Sequence, residues 1–92
     1  MSEFRKTVEI TNKKGLHARA SAKFVTYVSK LPDGLSVKVS KDESEVTGLS
    51  IMGLMMLGAA KGDHIDIIVA GDNAEAALEK LVGLVVDGFG ED

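Results

Sequence analysis

The chain has two histidines, and only one has neighbours suited to chemistry. His17 stands between a polar, glycine-containing stretch, Asn12-Lys13-Lys14-Gly15, and an alanine-rich stretch, Ala18-Arg19-Ala20-Ser21-Ala22. Near pH 7 a neutral imidazole offers a nucleophilic lone pair. If a helix begins at Ala18, the first amides after His17 have no partner inside it and carry about half a positive charge between them. A phosphoryl group received by the ring would then meet the backbone amides of Ala18 and Arg19. The Arg19 guanidinium adds a fixed cation whose planar fork matches phosphate oxygens. Spacing alone leaves open which ring nitrogen reacts.

A second cluster surrounds Ser50. Leu49, Ile51, Met52, Leu54, Met55, Met56 and Leu57 place apolar side chains on every side of a short segment. A two-turn helix cannot bury all of them, so Leu54 is expected to face inward while Leu49, Ile51, Met52 and Met55 face water or a partner. Flexible thioethers suit a surface that accepts several unlike partners. Ser50 is placed as the helix N-cap. His64 lies between acidic and apolar residues with no glycine loop, arginine or helix start beside it, and reads as a surface side chain. Two histidines without a ligand spacing predict no metal site.

The elements that must position these residues follow from periodicity. Phe4, Lys6, Val8 and Ile10 alternate with Glu3, Arg5, Thr7 and Glu9, a half-buried strand with Lys6 as its mismatch. Ala18, Ala22, Val25 and Val28, with Phe24 widening the stripe, predict a helix over residues 18–30 that stops before Pro32. Leu35, Val37 and Val39 form a second strand, and 45–48 a short third strand hairpinned to it. Ile65, Ile67 and Val69 form a fourth. Asp72 with Glu75 three residues later reads as a capping-box start to a last helix, which Gly88-Phe89-Gly90 ends. Strand, helix, strand, strand, helix, strand, helix predicts an α+β fold, with helices layered on a sheet.

Ninety-two residues suffice for one core, so 1–92 is expected to be a single domain. No apolar run reaches the roughly 20 residues of a membrane helix, and the N-terminus has no signal-peptide core. A cytoplasmic protein without membrane insertion is the expectation. The absence of cysteine excludes disulfides and thiolate chemistry. A net charge of −3 with 4% aromatic residues leaves neither a phosphate-neutralising patch nor a stacking platform for nucleic acid.

The run Gly15-Leu16-His17-Ala18-Arg19, with Ser50-Ile51-Met52-Gly53 further on, resembles the HPr family of histidine-containing phosphocarriers of the bacterial phosphotransferase system. The likeness covers nearly the whole chain. It implies an open-faced β-sandwich, a four-stranded antiparallel sheet with three helices on one face (βαββαβα). It implies a stoichiometric carrier rather than a free-standing enzyme, using no cofactor. Nδ1 of His17 would take a phosphoryl group that originates in phosphoenolpyruvate from phospho-Enzyme I and pass it to enzyme IIA-type acceptors, with Arg19 steadying the phosphoryl oxygens. Ser50 would be a regulatory site for an HPr kinase/phosphorylase, and Leu49, Ile51, Met52 and Met55 would dock partners. Two positions depart from the family pattern. Ala20 stands where many members have proline, and Leu49 replaces a polar or basic residue. A nitrogen-branch (NPr-like) carrier and an interaction module switched by phosphorylation at His17 or Ser50 are the alternatives.

Overall fold

The computed structural model describes residues 2–91. In chain order it contains β1 (Glu3–Glu9), α1 (Ala18–Ser29), β2 (Ser36–Lys41), β3 (Ser44–Thr47), α2 (Ile51–Met56), β4 (His64–Ala70) and α3 (Ala74–Val86), followed by a single 3-10 turn, Gly88–Gly90. The order predicted from periodicity is the order observed. The four strands form one antiparallel sheet in the order β1-β4-β2-β3. β4 therefore enters between β1 and β2, so the last strand to be made is central.

Register follows the alternation of apolar residues. Val8 pairs with Ile65, Phe4 with Val69, and Val69 in turn with Val37, while Ile67 faces Val39. These positions point to the helices, and Ile65, Ile67, Val39 and Val69 are buried almost completely. The opposite face is the open one. Across it Arg5 is paired with Ile68 and Ile68 with Lys38, and Thr7 with Asp66. Asp66 accepts hydrogen bonds from Arg5 Nη1 at 2.7 Å and Thr7 Oγ1 at 2.6 Å. Ile68 lies on this face and is buried all the same, because it sits in a middle strand between Arg5 and Lys38, whose aliphatic stems can cover it.

Two helices differ from their sequence reading. The buried stripe of α1 is Ala20, Ser21, Phe24 and Val28, whereas Ala18 is exposed and Ala22 and Val25 are only half-buried. Phe24, the largest side chain of the helix, sets the inward direction, and residues four before and four after it share that face. Ser21 enters the core because its hydroxyl donates to the Leu16 carbonyl. In α3 the N-cap is Asn73, in the left-handed conformation and without a side-chain cap bond, rather than Asp72. Its buried face is Ala74, Ala77, Leu78, Leu81 and Val85.

The part of the fold that most affects the site comes after α3. Phe89 is buried with φ +58°, between Gly88 at +68° and Gly90 at +73°. Left-handed geometry is unfavourable for phenylalanine, and burying a large aromatic side chain offsets that cost. Thr11 Oγ1 donates to the Val86 carbonyl and Lys23 Nζ to the Phe89 carbonyl at 2.7 Å. The chain end is thereby turned back beside the loop that precedes α1. No helix among the described residues is long and apolar enough to cross a membrane.

Candidate functional site

Loop 11–16 presents His17 through backbone contacts that leave little freedom. Ile10 N–H donates to the Asp63 carbonyl and Leu16 N–H to the Ala59 carbonyl. Gly15 has φ +62°, and a β-carbon there would run into the Ala59 carbonyl oxygen and lie 2.8 Å from Ala60 Cα. Glycine at this position is a packing requirement as well as a turn requirement. Leu16 is buried beside it, which fixes the chain immediately before the histidine.

His17 is the N-cap residue of α1, with φ −77° and ψ −176°. Its carbonyl accepts from Ser21 N–H at 2.9 Å, but its side chain makes no capping bond and the first turn contains no acidic residue. Helix capping therefore does not account for the imidazole. The amides of Ala18 and Arg19 open the helix with no acceptor for them among the described residues. Arg19 lies in that first turn with no ion pair among the described residues and lines the same cleft as His17, together with Lys13, Lys14 and Glu91. The cleft is about 210 Å³, smaller than the roughly 300–1,000 Å³ of small-molecule pockets. Three cationic side chains and one carboxylate surround a partly exposed imidazole, an arrangement suited to a small anion bound covalently.

Glu91 is the residue the sequence reading missed. Its Oε2 lies 2.9 Å from His17 Nε2, and its Oε1 accepts from Asn12 Nδ2 at 3.1 Å. An ionised carboxylate can only accept, so Nε2 is the protonated nitrogen in this contact and Nδ1 is left with the lone pair. Partial burial pushes the Glu91 carboxyl up, but the hydrogen bonds from His17 and Asn12 and the charge of Arg19 outweigh it and bring the group below the ordinary glutamate range. It is an anion at neutral pH. No periodicity or motif in the sequence joins residue 91 to residue 17; only the turn at Phe89 does.

The second cluster lies on α2. Ser50 is its N-cap, and Ser50 Oγ accepts from Gly53 N–H at 2.8 Å. Leu54 is buried, while Leu49, Ile51, Met52 and Met55 are exposed, the division expected from the sequence, and Leu57 is buried as well. Met56, at 79% the most exposed of the group, extends the same patch. α2 packs against α1, and residues 59–60 just after it abut Gly15, so the apolar patch and the histidine loop belong to one rigid neighbourhood. His64 is exposed at the start of β4, paired with Glu9, and does not line the cleft that holds His17.

Comparison with known proteins shows the family and bears out the fold. The profile described as "PTS HPr component phosphorylation site" matches residues 4–87. The chain belongs to the HPr family. It is 46% identical to phosphocarrier protein HPr of Neisseria meningitidis over 87 residues, covering 95% of this chain and 96% of that one. It superposes on the crystal structure of HPr-C-His from Thermoanaerobacter tengcongensis with a TM-score of 0.86 at 42% identity, over 100% of this chain and 99% of that one. Phosphocarrier protein NPr of Escherichia coli is similar at a lower level, 36% over 91 residues, covering 96% and 97%. An HPr-family chain with this fold is a phosphocarrier of the phosphotransferase system. Glu91 lies beyond the residues that the family profile matches.

Proposed function

We propose that His17 is the residue that carries the phosphoryl group, receiving it at Nδ1 from phospho-Enzyme I and giving it up to enzyme IIA-type acceptors. The contact between Nε2 and Glu91 carries this reading, since it reserves Nδ1 for reaction. In the forward step the Nδ1 lone pair forms a bond to phosphorus as the bond from phosphorus to the donor breaks, with the electron pair leaving on the donor. The ring then bears a positive charge, shared with Nε2–H, which the Glu91 carboxylate stabilises. In the onward step an acceptor nucleophile bonds to phosphorus, and the N–P electron pair returns to Nδ1. Because Nε2 keeps its proton, the ring departs as neutral imidazole rather than as an anion. The amides of Ala18 and Arg19 and the Arg19 guanidinium hold the three phosphoryl oxygens. Residue 17 is modified once per cycle, so the chain is a stoichiometric carrier, not a free-standing catalyst. It works in the cytoplasm as a single domain.

The exposed apolar face of Leu49, Ile51, Met52 and Met55 is the proposed docking surface for both donor and acceptor enzymes, since its side chains are solvent-facing on a helix anchored by Leu54. Ser50 stands at the head of that helix, and its phosphorylation by an HPr kinase/phosphorylase is the regulation the family resemblance suggests. A phosphate there would add nearly two negative charges within the docking face, repelling an acidic partner without refolding the domain.

Incubation with Enzyme I and labelled phosphoenolpyruvate tests the assignment. Acid-labile label on the unsubstituted chain, absent from His17→Ala, retained by His64→Ala and chased to an enzyme IIA protein, is the expected result. Label that persists in His17→Ala refutes it. Label that enters His17 but never leaves in the presence of acceptor would favour a switch over a relay.

A further inference from the structure

We propose that Asn12 is a positioning residue for phosphoryl transfer, acting through Glu91 by fixing the carboxylate against which the His17 Nε2–H rests. The proposal rests on the carrier reading of His17 and adds a residue to it. Asn12 is 1% exposed, although it stands in a polar loop beside two lysines. Its amide nitrogen donates to the Gly15 carbonyl at 2.8 Å and to Glu91 Oε1 at 3.1 Å. Both facing atoms are pure acceptors, so the amide can sit only one way round. The other amide atom, Oδ1, is buried with no partner among the described residues. A buried unpaired acceptor lowers stability, and an apolar side chain of similar volume would avoid the loss. Filling space therefore does not explain asparagine here, whereas its two donated bonds do. The bond to Gly15 closes the turn that presents His17, and the bond to Glu91 ties that turn to the segment after α3.

Glu91 needs such a tie. It follows the 3-10 turn near the end of the chain, and a glutamate side chain left free there would spread over several rotamers. With Oε1 held by Asn12, Oε2 is aimed at Nε2. Alignment before reaction is what makes an electrostatic partner effective, because no reorganisation is needed as charge appears on the ring. Lys13, Lys14 and Arg19 also face this cleft and would compete for a loosely held carboxylate. Asn12 directs it to the histidine instead.

The test compares the unsubstituted chain with Asn12→Ala, Glu91→Ala and the double variant. It measures water exchange of the His17 Nε2 proton by NMR and the single-turnover rate of phosphoryl transfer with Enzyme I. Asn12→Ala is expected to speed exchange and slow transfer, on the order of tenfold as for other residues that orient a reacting group's partner. In the Glu91→Ala background the same substitution should change neither. Equal slowing in both backgrounds would overturn the proposal, since Asn12 would then act through the loop. Unaltered exchange and transfer in Asn12→Ala would overturn it as well. If Asn12→Ala does not fold, the Asn12 Nδ2 protons decide: they should exchange slowly in the unsubstituted chain, and one should become fast in Glu91→Ala. No difference there contradicts the tie. Failure of the unsubstituted chain to accept label would defeat the carrier reading itself, a result distinct from all of these.

Discussion

At the scale of single residues, the proposed mechanism separates two tasks between the two nitrogens of one ring. Glu91 occupies Nε2, and in the proposed mechanism the open end of α1 receives the phosphoryl group, so nucleophile and counter-charge would not compete. Arg19 is exposed and unpaired among the described residues, which makes it dispensable to the fold and available to phosphate. Arg19→Ala should slow phosphoryl transfer on the order of a hundredfold, the usual scale for removing a charge-stabilising donor. Its unfolding free energy should change by less than about 0.5 kcal/mol. Quench-flow transfer kinetics beside a denaturant melt would check both, and an unchanged transfer rate would remove Arg19 from the mechanism. The places of His17, Arg19 and Ser50 at helix starts were legible in the sequence, because types and spacing have local meaning there. Glu91 and Asn12 were not legible, because their importance arises from a contact between residues 79 positions apart. The sequence reading counted only the positive end of a helix near the imidazole, and the structure adds a carboxylate on its far side.

At the scale of elements, the turn at Gly88–Gly90 has a weight that its three residues would not suggest. It reads in the sequence as the place where α3 stops, since glycines on either side of one aromatic mark a helix end. In the fold it is an anchor, with Phe89 in the core and the Lys23 and Thr11 side chains holding its carbonyls and those of α3. Phe89→Ala should therefore cost about 3–5 kcal/mol in stability, as large-to-small changes at buried aromatic positions do. The His17 Nε2–H contact should weaken in the same variant while α1 remains intact. Calorimetry and the imidazole proton spectrum measure the two effects, and a stable variant with an unchanged spectrum would show that the turn does not position Glu91. The helix faces show the same limit of local reading. Periodicity placed α1 and α3 correctly along the chain, but the rotation of α1 depends on where Phe24 fits against the rest of the core. Local rules supply an element's extent, whereas its facing is settled by packing.

At the scale of the whole molecule, the open sheet face and the site face divide the labour. The sheet face is closed by its own polar pairs. Thr7 and Arg5 hydrogen-bond Asp66 and, despite an opposing effect of burial, hold its carboxyl below the usual aspartate range. A carboxyl depressed in the folded state contributes stability that is present in full above its unfolded value and lost as pH falls through the folded one. Stability should therefore decline on acidification through the carboxylate range, and Asp66→Asn should flatten that part of the profile. Unfolding titrations at a series of pH values measure it, and identical slopes for the two proteins would assign the acid sensitivity elsewhere. The site face is left unfinished in the opposite sense, with exposed Leu49, Ile51, Met52, Met55 and Met56 beside the histidine loop. Met52→Glu should weaken transfer from Enzyme I at low protein concentration and leave the melting temperature nearly unchanged. Unfolding of that variant would mark Met52 as core and remove the docking face. Overall architecture was the most legible feature of the sequence, because strand and helix periods alternate cleanly from Phe4 to Val85. The antiparallel sense of the sheet was legible only through resemblance, and strand order was not legible at all, since no local signal places β4 between β1 and β2.

The central claim is that one nitrogen of His17 is reserved for phosphorus while Glu91 keeps the other protonated. Phosphorus–nitrogen correlation by NMR on the phosphorylated, nitrogen-labelled protein tests it most directly. Phosphorus coupled to Nδ1 of His17, with a proton still resolved on Nε2, is the predicted result. Phosphorus on Nε2, or on His64, would contradict it.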